Sequence, residues 1–268
     1  MISKIYDAAE GVPRFEEMIF KEKKNKYCLC IPIINEGQRI LLELSRGKKA
    51  NISEYVDIVL CDGGSTDGSM EIENLKSLNV NTLLTKKDYG KQSVQLRMGF
   101  WWALQRGYEG IITIDGNNKD SIEDVPKFVE KLQEGYDFVQ GSRYVKGGEA
   151  INTPKLRHFA VKLIHAPIIS LTARHKFTDT TNAYRAYSKA YLLNDNVKPF
   201  RDIFQTYELL AYLSTRATQI GLKVCEVAVI REYPKKGKTP TKISFFKGNS
   251  ELFKILIKNM LGGYNAKS

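Results

Sequence analysis

The sequence predicts an α/β fold, a mostly parallel sheet with helices on both faces, closed by a C-terminal amphipathic helix. Short β-rich runs alternate with longer helical patterns, and the polar residues gather where the runs end. The first two of these observations give βαβ punctuation. The third says where a ligand would bind.

The runs are Tyr27–Ile33, Val56–Cys61, Val80–Leu84 and Ile111–Ile114, rich in Val, Ile, Leu and Cys. Between them, Ile40, Leu41 and Leu44 space as one helical face, and Gln92 to Gln105 carries Val94, Met98, Trp101 and Trp102 in the same way. A helix after each strand implies parallel pairing. Glu123 and Asp124 stand at the start of a helix running to about Glu134, and a strand is expected near Asp137 to Gln140. Beyond this the alternation weakens, with helices read at 155–172 and 203–220 and a strand at 223–229. With no repeat, low-complexity tract or clear linker, one domain over 1–268 is expected. Its parts are a strand-and-helix half at 27–145, a second half with a basic loop at 146–248, and a terminal helix at 249–268.

In that terminal segment Leu252, Phe253, Leu256, Ile257, Met260 and Leu261 lie largely on one face, flanked by Lys254 and Lys258. Packing on the protein's own core or a second copy is one outcome; contact with a membrane surface is the other.

Lys and Arg outnumber Asp and Glu by 41 to 30, and the excess concentrates in Arg231, Lys235, Lys236, Lys238, Lys242 and Lys247. Such a stretch suits anions: nucleic acid, an anionic membrane or a phosphorylated substrate, unless it is simply a solvated basic face. No RNA-binding pattern of interleaved aromatic and basic residues occurs, which argues against nucleic acid. No run reaches the roughly 18 apolar residues of a membrane-spanning helix, and no signal-peptide core opens the chain, so a cytoplasmic location is expected, with peripheral contact at the inner face of the membrane. Cys28, Cys30, Cys61 and Cys225 lack paired metal spacing and read as reduced core residues. His158, His165 and His175 read as structural, and Trp101 and Trp102 as core.

Ligands of open α/β sheets sit beyond the carboxyl ends of the strands. There this chain has Asn35-Glu36, Asp62-Gly-Gly-Ser-Thr-Asp-Gly68 and Asp115-Gly-Asn-Asn-Lys-Asp120. Each has a plain alternative as a turn or a helix cap. Neither GxGxxG nor a P-loop is present, so dinucleotide binding and P-loop phosphoryl transfer lose their signatures. Carboxylates at a nucleotide site meet ribose hydroxyls, base N–H groups or a divalent cation on a diphosphate.

These residues resemble the family 2 glycosyltransferases of GT-A fold, within them the dolichol- or polyprenol-phosphate mannose synthase branch. The resemblance rests on Ile31-Pro-Ile-Ile-Asn-Glu36, the Asp62 loop, Asp115-Gly-Asn117, Gly141-Ser-Arg-Tyr144, Asp179-Thr-Thr-Asn-Ala-Tyr-Arg185, Glu208-Leu-Leu210 and Glu226-Val with Gly237 and Lys242, in that order. It implies an inverting transferase that takes a sugar from a nucleoside-diphosphate-sugar. Pro32, Ile34, Glu36 and Asp62 would contact base and ribose, Asp115 ribose or metal, and Lys91 and Arg97 would lie beside the donor. Arg143 and Arg157 would hold an acceptor phosphate, and Lys236 and Lys242 would close over the diphosphate. Cell-surface polysaccharide or glycolipid synthesis would be the setting, with a homodimer through the terminal helix as a further expectation.

The chain departs from the family at Gly63, Asn117 and Lys119, where acids or metal-facing residues are usual. A weak Mg²⁺ or Mn²⁺ site at Asp115 and Asn117, helped by lysine, is expected. A phosphate monoester, with a second pKa near 6, needs positioning but no general base. A sugar hydroxyl needs a carboxylate, for which Asp179, Asp202 and Glu208 stand as candidates. The acceptor is thus a polyprenyl phosphate or a glycan, with Asp179, Arg143 and Glu208 as candidate catalytic residues. The rival enzyme is a nucleotidyltransferase making an activated sugar or polyol.

Overall fold

The computed structural model describes residues 3–8, 11–235 and 245–266. Its elements in chain order are β1 (Ser3–Tyr6), β2 (Phe15–Ile19), β3 (Tyr27–Ile33), α1 (Gln38–Lys49), β4 (Val56–Asp62), α2 (Ile72–Ser77), β5 (Val80–Lys86), α3 (Gln92–Gln105), β6 (Gly110–Thr113) and α4 (Val125–Gln133). Then come β7 (Phe138–Ser142), β8 (Glu149–Ile151), α5 (Lys155–Ala160), α6 (Ala166–Ala173), β9 (Arg185–Ser188), α7 (Lys189–Leu192), α8 (Glu208–Gln219), β10 (Val224–Ala228), β11 (Ile230–Glu232) and α9 (Phe245–Met260).

One sheet carries most of the molecule, in the order β1-β2-β5-β4-β3-β6-β9-β7-β10. Its centre, β5-β4-β3-β6, is parallel, as the alternation of strands and helices predicts. Beyond β6 the short β9 enters antiparallel between β6 and β7. Strands β1 and β2 add an antiparallel edge that the mixed-charge N-terminal sequence did not signal. A small second sheet pairs β11 with β8.

Successive side chains of a strand point to opposite faces. Along β3, Cys28 and Cys30 face one layer of the core with α3, α6, α8 and α9, while Leu29, Ile31 and Ile33 face the other with α1 and α4. Both faces are therefore covered, which is why β3 and β4 are buried at every position and run apolar through Cys28–Ile33 and Ile58–Cys61 rather than alternating. Helix α3 sits closest: a Cβ on Gly99 would lie 2.5 Å from the Cys61 sulfur. That contact sets the helix against the sheet, and Trp102 fills the core beside it.

Between α5 and α6, Val161–His165 winds as a π-helix, so residues 155–173 run nearly unbroken. Helix α9 packs on α6 and α8, burying Ile255 and Leu256. Asn259 Nδ2 fixes it by donating to Ala211 O at 3.3 Å and Thr215 Oγ1 at 3.0 Å. No helix among the described residues is long and apolar enough to cross a membrane.

Candidate active site

The carboxyl ends of β3, β4 and β6 meet at one edge of the sheet, as the sequence predicts. Pro32 lies buried in β3 opposite Cys61, two residues past the end of the β6 pairing, so its missing N–H breaks no ladder there. Gln95 of α3 donates to Ile33 O at 2.6 Å and Cys61 O at 2.8 Å, and so ties the two strand ends together. Ile34 follows, 39% exposed, as an apolar side chain beside the Gly63 backbone. Glu36 pairs with Arg39 at 2.8 Å.

Asp62 turns back on its own loop. Its carboxylate accepts from Gly64 N at 3.1 Å, Ser65 N at 3.0 Å and Ser65 Oγ at 2.6 Å. Asp67 does the same one turn on, accepting from Ser69 N at 3.1 Å, and it reaches the neighbouring loop through Gly37 N at 2.7 Å. Asn35 joins the loops from the other side, accepting from Thr66 N at 2.8 Å. The turn reading of these residues is therefore what the geometry bears out, and together they build a rigid rim.

The end of β6 is different. Asp115 Oδ1 accepts from Gln92 Nε2 at 3.0 Å, and its Oδ2 lies 3.2 Å from Arg231 Nη2. The other arm of Arg231 pairs with Asp120, which is fully buried. Burial raises the Asp115 pKa, but Arg231 and Lys119 outweigh it and hold the carboxyl below its ordinary range. Glu43 of α1 lies beneath, accepting from Asn118 N at 2.8 Å. Burial, with the charges of Asp120 and Asp115, carries its carboxyl well above the usual range. Lys119 is buried and stands 5.2 Å over the Tyr233 ring. Burial and the charge of Arg231 bring its pKa down to about 8.

Tyr233 gathers cations from both halves of the chain. Arg157 donates to its hydroxyl at 2.9 Å, and the Arg157 and Arg231 guanidinium groups lie 5.7 and 5.8 Å from its ring. Burial works to raise the phenol, yet Arg231, Arg157 and Lys119 bring it down to about 8. Nearby, Arg143 forms a fork with Asp179, Nε at 2.6 Å and Nη2 at 2.9 Å, and Nη2 also donates to Thr181 Oγ1 at 2.9 Å. Its Nη1 is buried with no hydrogen-bond partner. Glu226 holds the facing turn, accepting from Thr178 N at 2.9 Å and Asp179 N at 3.2 Å.

Several expected residues do other work. Asp179 is fully buried; burial opposes its charge, but the Arg143 hydrogen bond and charge hold its pKa below the ordinary range, which makes it a poor base. Glu208 turns back onto the residue before its helix's first turn, accepting from Thr206 N at 2.6 Å and Thr206 Oγ1 at 2.8 Å. Both corrections have one cause: a carboxylate with its lone pairs filled by fixed donors has little left for a substrate proton. Asp202 is exposed and pairs with Arg97 at 2.9 Å. Arg97, expected beside the donor, is buried and also donates to Gly11 O at 2.7 Å, so it fastens the N-terminal segment to the 202 loop. Lys91 is at the rim, 3.8 Å from Glu251 and 5.6 Å from the Tyr207 ring. Lys236 and Lys242 lie outside the described residues.

The profile of "Glycosyl transferase family 2" matches residues 28–194. The chain belongs to this family. It is 28% identical over 207 residues to an undecaprenyl-phosphate mannosyltransferase of Micrococcus luteus, covering 74% of this chain and 80% of that one. It is 27% identical to a polyprenol monophosphomannose synthase of Mycolicibacterium smegmatis, covering 74% of each. An undecaprenyl-phosphate 4-deoxy-4-formamido-L-arabinose transferase of Proteus mirabilis is 26% identical, over 88% of this chain and 68% of the relative. Among solved structures, glucosyl-3-phosphoglycerate synthase of Mycobacterium tuberculosis, in complex with Mn²⁺, UDP and glucosyl-3-phosphoglycerate, superposes with a TM-score of 0.62 at 13% identity. That comparison covers 88% of this chain and 78% of the synthase, and it establishes the GT-A fold.

The protein is thus a glycosyltransferase, and the nucleotidyltransferase alternative falls with that membership. The Mn²⁺ in that synthase raises the question of whether the Asp115–Asn117 turn of this family member suits such an ion. A hard divalent cation takes six or more oxygens, carboxylates foremost. Here both Asp115 oxygens already accept from fixed donors, and the other residue offers only a neutral amide oxygen, buried and without a partner. Among the described residues no group of three or more His, Cys, Asp or Glu side chains is placed to hold a metal. The donor set does not fit a resident cation. Sequence reasoning placed Arg231 only within a basic stretch, and it missed Gln92, Gln95, Glu43 and Tyr233. Arg231 opens a stretch that goes on to Lys235, Lys236 and Lys238, so nothing local marked it apart.

Proposed function

We propose that this glycosyltransferase transfers a sugar, with inversion, from a nucleoside-diphosphate-sugar to a polyprenyl-phosphate acceptor, in the synthesis of a cell-surface polysaccharide or glycolipid. The observation that carries this reading is the state of the acceptor half. Of the carboxylates that could serve a hydroxyl acceptor as base, Asp179 and Glu208 are engaged and Asp202 is paired with Arg97, while Arg143 keeps a buried N–H without a partner and Arg157 stands close by on Tyr233. An acceptor phosphate is already a nucleophile at neutral pH and requires only such donors. The names of the three curated relatives, each a transferase of a polyprenyl or undecaprenyl phosphate, support the same acceptor.

In this scheme the rim of Pro32, Ile34 and Asp62 receives base and ribose. A phosphate oxygen attacks the anomeric carbon from the side opposite the diphosphate. The new carbon–oxygen bond forms as the old one breaks, and the electron pair leaves with the nucleoside diphosphate, whose charge the local cations stabilise. Residues 27–145 serve the donor, and 146–248 supply the acceptor half and a basic stretch that reaches back to the donor diphosphate.

A polyprenyl phosphate lies in a membrane, and residues 155–173 offer a contact for it. Leu156, Phe159, Leu163, Ile164 and Leu171 are exposed there, with Lys155, Arg157 and Lys162 interleaved. Exposed apolar side chains among cations suit the surface of an anionic bilayer. This segment serves peripheral attachment at the inner face better than α9, whose apolar residues are partly used against the protein's own core. The homodimer remains a proposal resting on the exposed Phe253 and Leu261 of that terminal segment.

The test is to incubate the enzyme with labelled UDP- and GDP-sugars and undecaprenyl phosphate vesicles. Label entering the lipid phase with release of nucleoside diphosphate is expected. Label moving only to soluble glycans would reject the acceptor.

A further inference from the structure

A site for a nucleoside diphosphate needs positive charge, and in this chain that charge is built in. Asp115 and Asp120 are faced by Arg231 and Lys119, and Arg157 adds a third cation on the shared Tyr233, so cations outnumber these two carboxylates and no net negative charge is left to draw a divalent ion. The arrangement is stiff. Ser121 N donates to Ile230 O at 2.9 Å, Ile230 N to Ser121 Oγ at 3.0 Å and Glu232 N to Lys119 O at 2.8 Å, so β11 and residues 119–121 are zipped together on both sides of Arg231. Arg231 is 4% exposed, which prevents it from swinging out into solvent. A guanidinium carries five N–H donors, and its two carboxylate contacts leave others for an anion. The cluster opens to solvent at Asp115, whose side chain is 22% exposed, beside the strand ends where the donor is read to bind.

We propose that Arg231, seated with Lys119 on Tyr233, is the fixed cation of the donor site, and that nucleoside diphosphate binds there without a divalent metal. The proposal rests on the nucleotide-sugar reading above. It accounts together for Asn117 in place of an acid, Lys119 at a metal-facing position, and each Asp115 oxygen accepting from a side-chain donor. Arg231 acts as a binding residue, and Tyr233 positions it.

The experiment is isothermal titration of the full-length protein with UDP and with GDP, each in excess EDTA and in excess Mn²⁺. For the unchanged protein the preferred nucleotide should bind with affinities within about twofold in the two buffers. Mn²⁺ alone, followed by attenuation of its electron paramagnetic resonance signal, should show no stoichiometric site. Arg231→Gln should weaken nucleotide binding in EDTA by about tenfold or more, since a hydrogen bond to a charged group is lost. It should also gain Mn²⁺-dependent binding, because Asp115 and Asp120 are freed. Arg231→Lys, which keeps the charge, should fall between the two.

Tenfold tighter nucleotide binding with Mn²⁺ in the unchanged protein, or stoichiometric Mn²⁺ uptake by it, overturns the proposal. Because those measurements need no variant, misfolding of Arg231→Gln, visible by circular dichroism, does not shield it. If neither nucleotide binds in either buffer, the donor reading fails first and takes this one with it. Binding only with Mn²⁺ keeps the donor reading and rejects the fixed cation.

Discussion

Two sets of aspartates occupy the edge where the strands end, and they are satisfied in opposite ways. Asp62 and Asp67 accept mainly from the N–H and hydroxyl groups of their own loop, within three residues in sequence. Asp115, Asp120 and Asp179 accept from arginines that arrive from far along the chain, 116, 111 and 36 residues away. The first set shapes a rim. The second fixes charge beneath and beside it, and one of its arginines, Arg143, retains a buried N–H without a partner. The same residue type thus plays two parts, depending on whether its partner is a neighbouring amide or a distant guanidinium.

The comparison breaks most readily at Arg143. Removing one member of a buried ion pair strands the other, so Arg143→Ala should cost about 3–5 kcal/mol in a urea unfolding experiment. A loss under about 1 kcal/mol would mean that Asp179 finds other donors, and the two sets would then differ little.

Next in size is His165, which sits in the cation-rich half with its ring largely buried. Burial, then Arg185 and Arg157, lower its pKa to about 4. The folded state therefore resists protonation that the unfolded chain accepts near pH 6.5. Stability is full above that pH and falls as the pH drops towards about 4, by about 1–3 kcal/mol. His165→Phe should flatten this stretch of the profile measured by thermal unfolding, and an unchanged slope would remove His165 as its source.

Asp62→Asn should cost less, about 1 kcal/mol, because each hydrogen bond of that loop is worth about 0.5–1.5 kcal/mol and the amide oxygen still accepts. A loss as large as that of Arg143→Ala would put Asp62 among the charge-fixed residues. The smallest effect is expected for Glu208→Gln, which keeps an oxygen for Thr206. Its kcat should fall less than about tenfold, whereas loss of a general base costs about 100-fold or more.

Much of the rim was legible in sequence. Asp-Gly-Gly-Ser-Thr-Asp-Gly is turn chemistry, and its position after a β-rich run places it at a strand end. The parallel centre was legible too, because β3 and β4, covered on both faces, carry unbroken apolar runs at Cys28–Ile33 and Ile58–Cys61. Strand β9 was not: four residues reading Arg-Ala-Tyr-Ser have no alternation long enough to count, and only the slot between β6 and β7 makes them a strand. Strands β1 and β2 were lost in a segment whose charges mask its few apolar positions.

What the sequence alone determined, then, is the architecture of the edge where the strands end and the kinds of side chain that reach it, because period, turn residues and strand-end position are local properties of the chain. Only the tertiary structure decided which acids are open and which are spent. Arg231 is one of several basic residues in its stretch until β11 is laid against residues 119–121, and Arg97 is one more helix cation until the 202 loop closes over it. Electrostatic partnership depends on distance through space, and a sequence records distance only along the chain.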